Sequence, residues 1–346
     1  MEVGKVSGSS LKRVILKNIS STRNEVTQGP SVAYNFSALK LDKEEEVFVT
    51  SKTLIGDYKN IENIAVSSVA NRIGTSGGQV IGIMVNIILP SATYESKLEK
   101  IIKGIESACR SLNIDILGVD AQVTDFTSMP VIAITGLGKS SKDKVIKPST
   151  ILANQEIVMT KWIAGEATTI IANERESELQ TRFTDEFINR AKGLIRDVSS
   201  LKEAKIASEM NVSSMYEIGQ GGIFGSLWEI GEELSVGLEV DISKIPIKQE
   251  TIEICEFYDL NPYKLTSTGC LLIITDQGAS LTAKLNDNNI DAALIGRTTK
   301  GNERIVKNGD YRRFLAPPKG DELKKIKELL LPRKENGYEK EDSSSN

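Results

Sequence analysis

The chain contains no histidine among its 346 residues. That absence excludes histidine-ligated metal centres, Ser-His-Asp and Cys-His nucleophiles and imidazole acid–base steps, so any catalysis falls to carboxylates, lysines, backbone dipoles or a bound ion. Cysteine is scarce as well. Cys109, Cys255 and Cys270 stand far apart with no Cys-x-x-Cys spacing, which argues against a disulfide framework or a thiolate metal site. There is no excess of positive charge: 43 Lys and Arg face 47 Asp and Glu, and a formal net charge of −4 makes no electrostatic case for nucleic acid. Long apolar runs are missing too. The longest, Gln79–Pro90, is too short to span a bilayer and carries Asn86, and the first residues lack the apolar stretch of a secretion signal. The expected location is the cytoplasm, with no membrane association.

What is present is ordinary for a folded α/β protein. A hydrophobic fraction of 40% and a charged fraction of 26% over this length suit about two domains, each with its own core. One stretch organises the rest. Glu217 and Gln220 precede the pair Gly221 and Gly222, after which Ile223, Leu227, Ile230 and Leu234 recur at three- and four-residue spacing. This pattern predicts a loop turning into an amphipathic helix. Glycines allow a tight turn and close approach, and the free N–H groups of a helix start present partial positive charge, so the expected chemistry is the handling of an anion such as phosphate. The extended segment GLEVDISKIPI follows, then a helix over QETIEICEFYDL, the turn NPYKLTSTG and a buried strand CLLIITD.

This order resembles the C-terminal half of the aminoimidazole ribonucleotide synthetase (PurM-like) superfamily, and most closely its hydrogenase maturation factor HypE branch. The shared pieces are an acidic residue before a Gly-Gly helix, a downstream Ile-Pro, a Cys-Glu helix, an Asn-Pro turn and Ser/Thr-x-Gly before a strand. The segment EIVMTKWIAGEATTIIANE, with Thr160, Lys161, Trp162, Glu166 and Glu174, resembles the opening of the family's second domain. The resemblance implies an α/β (α+β) fold of two domains, the N-terminal sheet forming a barrel across a homodimer. On this reading residues 1–30 are a flexible arm, 31–147 the N-terminal domain, 156–316 the C-terminal domain and 317–346 a tail. It also implies ATP as a ligand and phosphoryl transfer to an oxygen of a small acceptor. The alternative is a non-catalytic dimeric scaffold that binds an anion or nucleotide.

The resemblance breaks at the metal. Relatives gather magnesium and nucleotide phosphates with aspartates at three places where this chain carries Asn35, Lys52 and Arg72, Asn71 being retained. Ammonium and guanidinium groups cannot coordinate Mg²⁺, and two unit charges about 4 Å apart interact by roughly 4 kcal/mol near a protein surface, so these cations would repel the ion. The expectation is a site that takes anions directly through Lys52 and Arg72. DILGVDAQVTD resembles the family's IGGDTxVT motif, which puts Asp120 on its aspartate, Gly118 on its turn and Gln122 nearby. The resemblance implies Asp120 and Glu217 as holders of whatever metal remains and Lys161 as a neutraliser of phosphate. Gln220, Gly221 and Gly222 would cradle it, with Gly4 and Lys5 near the phosphates.

Periodicity sets the remaining expectations. Strands are expected around residues 31–41 and 45–51, helices over 61–73 and 94–112, the strand Gln79–Pro90, helices over 182–197 and 201–210, and a hairpin about Asn308 and Gly309. GDELKKIKELLL is expected to be a capped amphipathic helix stopped by Pro332, and the end from Arg333 to Asn346 has too little apolar content to pack. The tail carries no cysteine. The terminal-cysteine chemistry of the hydrogenase maturation branch is therefore not expected here.

Overall fold

The computed structural model describes residues 1, 3–31, 37–146 and 151–326. In the N-terminal half, strand β1 (Gly4–Lys5) leads into a helical run made of α1 (Gly8–Ser10), a π-helical turn (Leu11–Ile15) and a 3-10 turn (Leu16–Asn18). A small ribbon, β2 (Val26–Gln28) and β3 (Ala38–Leu39), precedes β4 (Glu45–Ile55), α2 (Ile61–Gly74), β5 (Gln79–Pro90), α3 (Glu95–Leu112), β6 (Asp115–Thr124) and β7 (Val131–Ser141). The sheet order is β1-β6-β5-β7-β4, with β5 and β6 parallel and the other neighbours antiparallel. This sheet is open.

Both helices lie on one face of that sheet for reasons visible in the residues. Leu98, Ile101, Ile102, Ile105 and Cys109 form the buried stripe of α3 at helical spacing. Helix α2 is buried on nearly every side, its small Ser67, Ser68, Ala65 and Ala70 allowing close packing. Two glycines of β7 let it sit directly on the strand. A Cβ at Gly136 would lie 2.2 Å from a Val69 methyl, and one at Gly138 2.3 Å from a methyl of Ile73. The opposite face carries exposed Val47, Val49, Ile55, Met84 and Ile88.

The first residues do not form the expected flexible arm. Val6, Leu11, Val14 and Ile15 are buried in the core, and the carboxylate of buried Asp115 accepts from the Ser21 and Thr22 hydroxyls and from the Thr22 and Arg23 N–H groups. Of the strand expected over residues 31–41 only β3 is seen, and residues 32–36, with Asn35, lie outside the described residues.

The second half runs β8 (Glu156–Thr160), α4 (Gly165–Glu174), α5 (Glu176–Leu179), α6 (Asp185–Gly193), α7 (Leu201–Ser208), β9 (Ser214–Glu217), α8 (Gly222–Glu233), β10 (Gly237–Asp241), α9 (Gln249–Phe257), β11 (Leu271–Thr275), α10 (Gly278–Asp287), β12 (Ala292–Thr299), β13 (Arg304–Asn308) and β14 (Tyr311–Phe314). Its sheet order is β14-β13-β10-β12-β8-β11-β9. All five residues of β11 are buried, as befits a strand covered on both faces. One apolar cluster under α8 and a second under α7 and α10 cover the two faces, while the main core of the first half continues into the second through Ile171, Val198, Leu260 and Leu265. The tail does not continue as the expected helix within the described residues. Asp321 caps a 3-10 turn of four residues, Glu322–Lys325, and residues 327–346 lie outside them. Among the described residues no helix is long and apolar enough to cross a membrane.

Candidate functional site

Strand β9 ends on Glu217 at the junction of the two halves, where α2 packs against it. The Glu217 carboxylate is 7% exposed and accepts from Asn71 Nδ2 at 2.7 Å, while Ser68 Oγ lies 3.5 Å away and Arg72 Nε 3.6 Å away. Burial pushes the acid up to about 7 against the pull of the Asn71 amide and of the Arg72 and Lys52 charges; the Glu166 carboxylate adds to the upward push. Asn71 is itself fully buried and ties the halves together. Its Nδ2 also donates to Val198 O at 2.9 Å, and its Oδ1 accepts from Ser200 N at 2.8 Å. Arg72 also joins this frame, donating to Ser51 O at 3.1 Å.

Beyond Glu217 the chain turns into α8 through Gly221 (φ 82°) and Gly222 (φ 64°). Gly222 is needed for packing: a Cβ there would lie 2.6 Å from Tyr263 O and 2.8 Å from Leu265 N. The Gly221 N–H is the anion donor that the sequence pattern suggests, and the chain's own Asp321 occupies it, Oδ2 accepting at 3.0 Å.

A cavity of about 450 Å³ opens beside this turn, between β4, α4 and the segment around Asp321, with Lys52, Leu54, Tyr58, Glu166, Gln220 and Leu323 in its wall. Glu166 is buried and accepts from Thr266 Oγ1 at 2.6 Å and Thr268 N at 3.0 Å. Lys52 makes no ion pair among the described residues, and the Tyr58 hydroxyl and Gln220 side chain have no hydrogen-bond partner there, although Tyr58 is only 7% exposed. A larger hollow of about 540 Å³ beside Trp162 and Asp291 shares no residue with this cleft.

The other sequence-predicted residues are placed elsewhere. Asp120 lies on the open face of β6, opposite Asn86 in register, with Gln122 Nε2 at 3.2 Å and Lys5 Nζ at 4.0 Å. Gly118 is on the same face, where a Cβ would lie 2.7 Å from Met84 Cε. No contact among the described residues joins Asp120 to Glu217, and no three His, Cys, Asp or Glu side chains come together there as a metal set. Lys161 is a strut. Its ammonium donates to the carbonyls of Asp197 (2.9 Å), Ser199 (2.5 Å) and Gly269 (3.1 Å) and pairs with buried Glu203, which leaves nothing for a phosphate. Sequence reasoning passed over Tyr58 and Asp321. A tyrosine in a loop carries no motif, and Asp321 reads in sequence only as a helix cap.

Residues 38–140 match the model of the AIR synthase related protein N-terminal domain, and residues 155–308 that of the AIR synthase related protein C-terminal domain. A putative hydrogenase expression/formation protein of Methanocaldococcus jannaschii is 23% identical over 332 residues, covering 93% of this chain and 97% of that one. The crystal structure of HypE from E. coli superposes with a TM-score of 0.78 at 18% identity, over 92% of this chain and 100% of that chain. A structure of HypE in complex with ATP gives a TM-score of 0.75 at 16% identity, over 89% and 93% of the two chains.

Proposed function

The chain belongs to the AIR synthase related family, and on that premise we propose that it binds ATP, or a smaller phosphate-bearing anion, in the cleft between its halves and transfers a phosphoryl group slowly to an oxygen of a small acceptor. The observation that carries this reading is Lys52, a cation in the wall of an interdomain cavity, unpaired among the described residues, at a position where the family resemblance implies an acidic group. An unpaired ammonium in the same cavity wall as the Tyr58 hydroxyl and the Gln220 amide attracts and orients phosphate oxygens by charge and hydrogen bonding. The residues present do not fit Mg²⁺. Among the described residues the acids lining the cleft are Glu166 and Asp321, with Glu217 at the strand end before the turn; each is already held by hydrogen bonds within the chain, and the cation Lys52 shares the wall. Without a metal clamp on the charge that develops on the transferred group, transfer is slow.

The acceptor side is assembled by a second copy of the chain. The apolar residues Val47, Val49, Ile55, Met84 and Ile88 on the open face of the N-terminal sheet favour pairing of two such sheets into a barrel, since exposing that surface costs about 25 cal/mol per Å². Asp120 lies on the same face and would enter the site only in that dimer. Equilibrium titration of ATP against the native chain and Lys52→Ala tests the reading. A loss of about tenfold or more in affinity is expected; equal affinities would remove Lys52 from the site.

A specific observation favours a second reading, the non-catalytic scaffold. Lys161 and Glu217, two ionic residues that match the family pattern, are both engaged in holding the structure together, and Asp321 fills the Gly221 amide. Single-turnover assays with radiolabelled ATP separate the two, the scaffold binding nucleotide without forming any product.

A further inference from the structure

The cleft is bordered by a piece of the chain's own C-terminal side. After β14 the backbone crosses the start of α8, where a Cβ at Gly225 would lie 3.6 Å from Pro318 Cβ. Asp321 then turns its carboxylate onto two backbone donors, Gly221 N at 3.0 Å and Leu323 N at 2.9 Å. No Lys or Arg among the described residues pairs with it, and burial, with the Glu166 carboxylate nearby, raises the acid above its usual value. Glu322 accepts from Asn261 N at 3.3 Å, Leu323 is 9% exposed in the core that both halves share, and Leu323, Lys324 and Ile326 line the cavity. A carboxylate with no countercharge, held on a helix-start amide, is where an external anion with better partners would compete.

A second observation, independent of this contact, points to a missing occupant. Tyr58, 93% removed from solvent, lines the same cavity, its hydroxyl with no hydrogen-bond partner among the described residues, and the half-exposed Lys52 and the exposed Gln220 in the same wall are also unpaired there. A ligand bearing acceptor oxygens would supply the partners that these donors lack.

We propose that residues 317–326 form an autoinhibitory strap, in which Asp321 holds on the Gly221 amide the place of a phosphate group of the cleft's ligand, and that the ligand binds by displacing it. This rests on reading the cleft as an anion site. Displacement moves no covalent bond. The carboxylate passes from a buried position to water, and the phosphate gains the Gly221 N–H together with the Lys52, Tyr58 and Gln220 donors.

The test is calorimetric titration of the full-length native chain, Asp321→Asn and Leu323→Ala with two probes, ATP and inorganic pyrophosphate. Asp321→Asn keeps the shape and removes the charge; Leu323→Ala withdraws the strap's apolar anchor and keeps the carboxylate. The strap predicts at least about tenfold tighter binding of pyrophosphate to Asp321→Asn, and a gain in the same direction for Leu323→Ala, which decides the matter if the first variant fails to fold. Tighter pyrophosphate binding in the variants with no ATP binding to any of the three proteins upholds the strap and defeats the nucleotide reading. Equal or weaker binding of both anions to the folded variants, or no binding of either anion to any of the proteins, overturns the strap.

Discussion

Asn71 and Glu217 meet across the junction of the two halves, the Asn71 Nδ2 donating to Glu217 Oε1 at 2.7 Å while the same amide group also binds Val198 O and Ser200 N. One side chain thus supplies three hydrogen bonds to the second half from a helix of the first. Asn71→Ala leaves a buried carboxylate, a carbonyl and an N–H unsatisfied, and is expected to cost about 2–4 kcal/mol in a urea denaturation experiment. A loss below about 0.5 kcal/mol would show that water replaces the amide without penalty.

The raised acid at Glu217 makes a prediction about pH. Its folded value, about 7, lies above the ordinary 4.5, so the folded chain binds more protons than the unfolded chain between those two values. Stability from this group therefore falls as pH rises from about 4.5 to 7, and is restored on acidification. Glu217→Gln removes the titration. Between about pH 5 and 7.5 the variant is expected to gain roughly 1–3 kcal/mol relative to the native chain, measured as the difference of their denaturation free energies. A constant difference over this range would place Glu217 as an ordinary ionised carboxylate.

Lys161 provides a contrast between support and ligand binding. Replacing it with Met leaves the carbonyls of Asp197, Ser199 and Gly269 and the buried Glu203 carboxylate without their cation. The expected cost is about 3–5 kcal/mol of stability, with anion affinity unchanged in the fraction that remains folded. Unchanged stability with weakened anion binding would return Lys161 to the phosphate role that its motif suggests.

The periodic parts of this fold were legible in the sequence. Gln79–Pro90 is a strand over the range that its apolar, β-branched content predicts, α2 and α3 begin and end within a residue of their expected bounds, and the hairpin turns at Gly309 and Asp310, one residue beyond the expected pair. Each of these is decided by neighbours in sequence. What escaped is decided by distant contacts. Asp321 reaches Gly221 across 100 residues, Lys161 finds Gly269 across 108, and neither leaves a mark in its own surroundings. The arm departs from expectation for a related reason: its Ser21 and Thr22 read as loop, and Asp115, more than ninety residues on, pins them. The motif around Glu217 identified the turn, but not that Gly222 also answers to the backbone of Tyr263 and Leu265 or that Asp321 takes the Gly221 N–H.

The proposed pairing of two copies rests on the exposed apolar face of the open sheet. Light scattering of the native chain at micromolar concentration is expected to give twice the chain mass of 37.8 kDa. Val49→Glu combined with Ile88→Lys, which puts charges on the exposed apolar face, is expected to give the single-chain mass with the far-ultraviolet circular dichroism unchanged. A native chain that scatters as a monomer would remove the barrel from the account.

The central claim is that this cleft takes its anion without a metal. Its most direct test is the affinity for ATP measured by calorimetry with Mg²⁺ and with a chelator, over a range of salt. The account predicts affinities within about threefold of each other with and without Mg²⁺, and a loss of roughly tenfold between about 0.05 and 0.5 M ionic strength, because half-exposed charges carry the attraction. Tight binding that requires Mg²⁺ and persists in Lys52→Ala would contradict it.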